Sequence, residues 1–526
     1  MTAAAIAVFW GVYASSPSPR AGAGMGSGVR ALTAVPARDF HAWSAPRVLA
    51  RCALAGGPQV AFPSEGAAKP TGEGAISWLS DPAPCASRSG RSGRWGVSVA
   101  ALGSTDQAKF AGVQSLQERP GLTLAAIGAS LGRIALAGGG TSRMPGGGGI
   151  ALLQGGASDP AAWSRLLAGS GPPLALGRAY LGDVAIAAVA PGPTIAVRVE
   201  RHFQAEFGQP RSIPIGPGAV TALTLAMDYR SDVLLAWQQN HSIFACMLRA
   251  SGRTDARQRV GPSAAHPQLE AVVSDNDHGM IAWSSTELPR RSTPKTRIDL
   301  SLSRVGVRFG APHLLASFAD PQRLGRSPGS LALERLSTEN VMLAWTVLEH
   351  GHYLIRAGPA VFAVSRPARL LSDPRSQAIL ADLAPGPAGE AVALWRTAPR
   401  LAGGALNMRR VELWAARASI VPHSRVTLRD AVMIVPPGPN LAPTIAVDPS
   451  NDQAVAAWLA LGAQRRIEYA VGGGSAGYLP HSTVAAAGLP AGGAHWLRIT
   501  LAAAGLAAAV AAAALALRHR RGPRRP

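Results

Sequence analysis

Six times the chain closes a short aliphatic run on a tryptophan: EGAISW (73–78), DVLLAW (232–237), HGMIAW (278–283), NVMLAW (340–345), EAVALW (390–395) and QAVAAW (453–458). Only twelve tryptophans occur in 526 residues, so half of them stand in this one context. What precedes them also recurs. TALTLAMDYRSDVLLAW, LEAVVSDNDHGMIAW, LALERLSTENVMLAW, ILADLAPGPAGEAVALW and TIAVDPSNDQAVAAW each place an aliphatic run, a polar turn of about four to seven residues and a second aliphatic run before the tryptophan. That is the pattern of a β-hairpin. Five or six apolar residues bounded by Asp, Asn and Gly are too few for a helix, and their nearly continuous apolar character marks a strand covered on both faces.

After each tryptophan comes a segment that alternates polar and apolar residues, such as RIDLSLSRV (297–305), NMRRVELWAARA (407–418) and RIEYAV (466–471). Some copies add a fourth segment, such as RFGAPHLLA (308–316) or VFAVSRPARLL (361–371). Two apolar strands followed by two amphipathic ones predict a four-stranded antiparallel unit with a dry inner edge and a wetter outer one, which is a propeller blade. The 59 glycines and 42 prolines agree with many short strands joined by turns.

Degenerate copies occur at GRIALAG (132–138) and GDVAIAA (182–188), with Gly138 and Ala188 in the tryptophan position. Positions 78, 138, 188, 237, 283, 345, 395 and 458 are then 46 to 63 residues apart. The expected fold is all-β, a β-propeller of eight four-stranded blades, or seven if one degenerate copy is an insertion. The last copy has no room for a fourth strand before GGGSAGYLPHS, whereas FHAWSAPRVLA (40–50) resembles that strand without its hairpin. The ring is therefore expected to close by an N-terminal strand completing the final blade. Trp78, Trp237, Trp283, Trp345, Trp395 and Trp458 are read as structural wedges between blades.

On these copies the chain resembles the extracytoplasmic bacterial β-propellers, the sialidase-like and related surface repeat families, over about residues 40–476. The resemblance implies a scaffold that hosts both binding proteins and glycosidases. A sialidase would carry S-x-D-x-G-x-T-W turns, an arginine triad and a tyrosine nucleophile. SDNDHGMIAW (274–283) is the nearest approach and its spacing differs, so that activity is not carried over.

Both ends of the sequence predict a membrane. ITLAAAGLAAAVAAAALAL (499–517) is uncharged over 19 residues, enough for roughly 28 Å of helix, and is apolar on every face. Arg518, Arg520, Arg521, Arg524 and Arg525 follow directly, as expected of a cytoplasmic stop-transfer flank. Residues 2–14 form a signal-like apolar stretch with Val12 and Ala14 at the small-residue positions of a cleavage site, though no Lys or Arg precedes it. The expected layout is a signal-like segment (1–14), a linker (15–39), the propeller (40–476), a second linker (477–495), a transmembrane helix (496–517) and a basic cytoplasmic tail (518–526). The propeller would then lie outside the cell membrane.

A formal charge of +21 could suggest a polyanion partner, but Lys appears only at 69, 109 and 295 and the arginines are scattered. Nucleic acid is accordingly disfavoured as a partner. Cys52 and Cys85 could close one disulfide, leaving Cys246 as a buried thiol, and no CxxC spacing points to zinc. Asp275 and Asp277 lack the further ligands of a calcium loop. His350 and His352 in EHGH fit a hairpin turn better than a metal site. GGGTSRMPGGGG (138–149) lacks the GK[ST] of a phosphate loop. No metal, cofactor or catalytic residue is therefore predicted. The expected function is a membrane-anchored surface propeller that binds a protein or glycan partner through its blade loops, with a glycan-active hydrolase or a structural envelope subunit as alternatives.

Overall fold

The computed structural model describes strands and turns between Trp43 and Gly473, with gaps of which 63–73, 81–95, 140–147 and 154–163 are the longest. Residues 1–42 and 474–526 lie outside the described residues, and so do the expected signal-like segment, transmembrane helix and arginine tail. Cys52, Cys85, Asp275 and Asp277 also fall outside them. Among the described residues no helix is long and apolar enough to cross a membrane.

The described chain is almost entirely β and folds into eight antiparallel sheets. Seven are continuous in sequence: blade 1 (59–118), blade 2 (123–167), blade 3 (171–214), blade 4 (220–262), blade 5 (268–319), blade 6 (331–370) and blade 7 (378–428). The eighth contains Asn440–Val447, Gln453–Leu461 and Arg465–Gly473, and its outer strand is the N-terminal Arg47–Arg51. The first strand of every blade packs against the first strand of the next, and that of blade 8 against that of blade 1, which closes the ring of a β-propeller.

The tryptophan repeat has a register behind it. A leucine of the first strand stands opposite the motif position in six blades: Leu124 opposite Gly138, Leu174 opposite Ala188, Leu223 opposite Trp237, Leu269 opposite Trp283, Leu331 opposite Trp345 and Leu380 opposite Trp395. Trp78, Trp237, Trp283, Trp345, Trp395 and Trp458 are all buried, with at most 3% of their surface exposed. Each belongs to an apolar cluster shared with the preceding blade; Trp283, for example, packs with Leu234, Ala236 and Ala245 of blade 4. A large flat ring fills the gap that widens outward between two radial sheets.

Closure of the ring is polar as well as apolar. Val48 and Arg51 pair with Glu468 and Arg466, Ser44 N donates to Val471 O at 2.8 Å, and Val471 N donates to Ser44 Oγ at 3.1 Å. Trp43 bridges Gly472, and its indole occupies the space that a Cβ at 472 would need. The hairpin turns use the residues that their backbone demands. His350 and Gly351, between Glu349 and His352, have φ of 48° and 81°, and Asn240 and His241 have φ of 50° and 56°. Positive φ at both central positions is the geometry of a type I′ turn, which matches the twist of the flanking strands.

One blade departs from the plan. In blade 7 the eleven-residue third strand, Val411–Val421, is flanked by Arg425–Leu428 near its end and by an additional strand, Val432–Gly438, near its start.

Candidate functional site

The first strands line the axis, and a partly open side chain on them can meet solvent along the channel they enclose. Blade 5 shows the alternation: Gln268 and Glu270 are partly exposed, while Leu269 and Ala271 are buried between blades. Glu270 is one step past the leucine that faces Trp283 and stands opposite Ala282. In blade 7 a bulge at Ala381 shifts the register, and Asp382, opposite Leu394, takes the equivalent step past Trp395. Glu334 of blade 6, opposite Met342, lies between these two blades and two steps further along. Three carboxyl groups from consecutive blades thus enter one channel.

Their electrostatics show that they share it. Burial pushes Glu270 up to about 8, and the charge of Asp382 adds to the effect. Glu334 is also pushed up to about 8, first by burial and then by Glu270 and Asp382, against the opposing charge of Arg178. Arg178 ends the first strand of blade 3 and reaches toward the Phe62 carbonyl of blade 1 at 3.4 Å. Asp382 is raised by burial too, but three donors oppose this: Thr444 Oγ1 (2.8 Å) and Ile445 N (2.9 Å) on Oδ2, and Leu383 N (2.8 Å) on Oδ1.

The three carboxyls consequently differ in kind. Asp382 joins blade 7 to blade 8, much as Gln268 Oε1 joins blade 5 to blade 6 through Ser330 Oγ (2.9 Å) and Leu331 N (3.0 Å). Glu270 and Glu334 accept no hydrogen bond from any described residue, although each is enclosed by protein. At neutral pH both are largely protonated, so each offers one O–H donor and acceptor oxygens to whatever occupies the channel.

A second buried polar chain runs through Thr286, Thr296, Asp320 and Tyr353. Thr286 and Thr296 share a hydrogen bond (2.8 Å), Thr296 Oγ1 donates to Asp320 Oδ2 (2.7 Å), and Tyr353 Oη donates to Asp320 Oδ1 (3.4 Å). It ties blade 5 to blade 6. The turn histidines go separate ways, His352 Nδ1 pairing with Gln377 Nε2 at 3.0 Å. Among the described residues no group of three His, Cys, Asp or Glu is arranged to hold a metal ion. Cys246 is a free, buried thiol pushed up to about 12 by burial, which makes it unreactive.

Sequence reasoning pointed to the loops and passed over Glu270, Glu334 and Asp382. Their signal was a lone acid inside an aliphatic first run, in LEAVV, LALER and ILADLA. A carboxyl group placed among buried strand residues costs free energy unless something there compensates for it.

No protein-family model matches the chain, and no curated protein does. Among solved structures, it is similar to the polysaccharide lyase Uly1 at 9% identity, covering 76% of this chain and 88% of the lyase with a TM-score of 0.39. It is also similar to a puromycin hydrolase (13% identity, 66% of this chain, 52% of the hydrolase, TM-score 0.40). A third is a subtype N10 neuraminidase-like protein of A/little yellow-shouldered bat/Guatemala/060/2010 (9% identity, 84% of this chain, 100% of that one, TM-score 0.31). At these TM-scores the likenesses carry no inference about activity.

Proposed function

We propose that the protein binds a polyhydroxylated ligand, a glycan, in the channel of its propeller. The observation that carries this reading is the pair Glu270 and Glu334: two enclosed carboxyl groups, largely protonated near neutrality, with no hydrogen-bonding partner among the described residues. Neutral carboxyls can donate to and accept from vicinal hydroxyls, and a sugar supplies both functions. A second reading, a glycan-active hydrolase, is favoured by the contrast within the triad. A glutamic acid without a hydrogen-bonding partner and a donor-held Asp382 are two carboxyl groups in different environments, the kind of pair glycoside cleavage uses.

Full-length protein in mild detergent, screened against a panel of oligosaccharides, is expected to retain at least one, and Glu270→Ala or Glu334→Ala to weaken retention by about tenfold. Retention unaffected by either substitution would remove the channel from consideration. Mass spectrometry of the retained sugar separates the two readings: shortened chains formed by the wild type but not by the variants support hydrolysis, and intact sugar supports binding alone.

The reading includes a location outside the cell membrane, with residues 496–517 as the anchor. Its support is the apolar segment and the arginines that follow it. Reporter fusions placed after Pro526 and near Ser327 are expected to fall on opposite sides of the membrane; both in the cytoplasm would refute the tether.

A further inference from the structure

At one end of the ring lie the turns from first to second strands and the connections from third to fourth strands, and two largely buried arginines there are held by acids. Arg249 bridges Asp232 (2.8 Å) and Asp255 (3.1 Å), and Arg417 bridges Glu390 (3.1 Å) and Asp452 (2.6 Å). At the opposite end, where first strands begin and second strands finish, blade 7 carries a long connection between Glu390–Thr397 and Val411–Val421.

That connection is an ordered hairpin. Leu401 N donates to Ala405 O and Asn407 N to Pro399 O, both at 2.8 Å, and Leu406 and Ala398 pack beneath it with Tyr353 of blade 6. It displays Arg400, Arg409 and Arg410, all exposed, with the Arg400 guanidinium 5.9 Å from the centre of the Tyr353 ring. Arg375 is exposed on the neighbouring connection between blades 6 and 7, and Arg396 lies in the second strand beside them, its Nε buried without a partner. None of these five arginines forms an ion pair with another described residue. The acids nearby do not offset them: Glu349 is bound by Arg356 (2.6 Å), leaving Asp373, which caps the Arg375 amide, and Glu412, which accepts from Thr397 and Trp414. Four of them, Arg375, Arg400, Arg409 and Arg410, are exposed on this hairpin and the neighbouring connection, beside two carboxylates.

We propose that this surface of blades 6 and 7 holds the carboxylate or sulfate groups of an acidic polysaccharide whose chain continues into the channel. The proposal rests on the channel reading and names its substrate class. Guanidinium groups bind such anions bidentately, and a preorganised loop loses little entropy in doing so. Glu270 is the third of six residues in a first strand that begins at this same end. A nucleic acid fits the pair of features less well. Its continuous phosphate backbone would be carried from the arginines onto the channel carboxyls, and single-strand binders supply aromatic stacking platforms along an extended basic groove. A polysaccharide alternates anionic groups with hydroxyls and suits both surfaces.

The test uses full-length protein in detergent with polygalacturonate, dextran and oligo(dT) as probes, and the variant R400A/R409A/R410A. Polygalacturonate is expected to bind at least about tenfold more tightly than dextran, to weaken with added salt, and to lose about tenfold in the triple variant, while dextran binding is unchanged. Equal binding of the two sugars with no effect of the triple variant overturns the anionic assignment and leaves the channel reading standing. Failure of both sugars to bind overturns both readings. Oligo(dT) binding as tightly as polygalacturonate, and lost in the same variant, overturns the proposal in favour of a general polyanion surface. An unchanged melting profile of the triple variant, and recovery of binding in R400K/R409K/R410K, separate loss of charge from loss of fold.

Discussion

Between pH 5 and pH 9 the folded ring is expected to lose stability, and Glu270→Gln combined with Glu334→Gln to remove most of that loss. Both carboxyls titrate near 8 in the folded chain against an ordinary value of 4.5. Below 4.5 they are protonated whether folded or unfolded, and their contribution to stability is fully present. Between 4.5 and 8 the folded state keeps protons that the unfolded chain has released, so stability falls as pH rises. Above 8 they ionise in the channel as well, and the loss is complete. Asp382, also raised by burial, acts in the same direction. Glu349, lowered by the hydrogen bond and charge of Arg356, has the opposite sign, but its stabilisation is lost only as pH falls below the ordinary carboxylate range. The three channel groups influence one another and keep part of their surface open to water, so the combined effect is on the order of 2 to 4 kcal/mol. Urea midpoints measured at intervals across this range would show it. A wild-type midpoint that stays level or rises toward pH 9 would contradict the enclosure of the two glutamates. The double glutamine variant keeps shape and hydrogen-bonding capacity while removing the ionisable proton, so at pH 5 it should match the wild type and at pH 9 exceed it.

The contrast between blade and channel shows what a sequence can disclose. Trp237, Trp283 and Trp345 were legible because each blade repeats one packing problem, a wide gap beside the second strand, and solves it with the same residue in the same local context. The closing strand was legible for a related reason: FHAWSAPRVLA has the composition of an outer strand without a hairpin, and the last copy lacks one. The channel carboxyls form no such pattern. Residues 270, 334 and 382 meet only because the ring places three first strands side by side, and each alone is one acid in an aliphatic run. Arg375, Arg400, Arg409 and Arg410 were dispersed for the same reason. A scattered basic composition becomes a local surface once two connections from adjacent blades open at the same end. The added strand Val432–Gly438 of blade 7 was hidden by VMIVPPG, whose two prolines argue against a central strand but suit an outer edge.

Among the described glycines, substituting Gly329 by alanine is expected to be the most damaging. Gly329 has φ +85° just before the first strand of blade 6, and a Cβ there would overlap the backbone carbonyl oxygen of Ala381 in blade 7. Two costs combine. The left-handed backbone conformation strains a side-chain-bearing residue by about 1 to 2 kcal/mol. The overlap is with a carbonyl of a packed first strand, not with a flexible side-chain tip, so two blades must move apart; this brings the total to about 3 to 5 kcal/mol. Gly404→Ala is the internal control. Its φ is +81°, but nothing lies within 4 Å of its Cβ position, so it should lose only the strain of about 1 to 2 kcal/mol. The difference between the two variants in urea unfolding isolates the contact between blades, and equal losses would mean that Gly329 is there for its backbone alone. The contact also reaches the candidate site. Ala381 is the bulged residue that brings Asp382 into step with Glu270, and Asp382 is fixed on its other side by Thr444 and Ile445 of blade 8. Displacing Ala381 pulls the carboxyl away from those donors. Gly329→Ala should therefore weaken glycan retention under conditions in which the variant remains folded, whereas Gly404→Ala, on the arginine-bearing connection, should leave the channel carboxyls and their pH dependence unchanged.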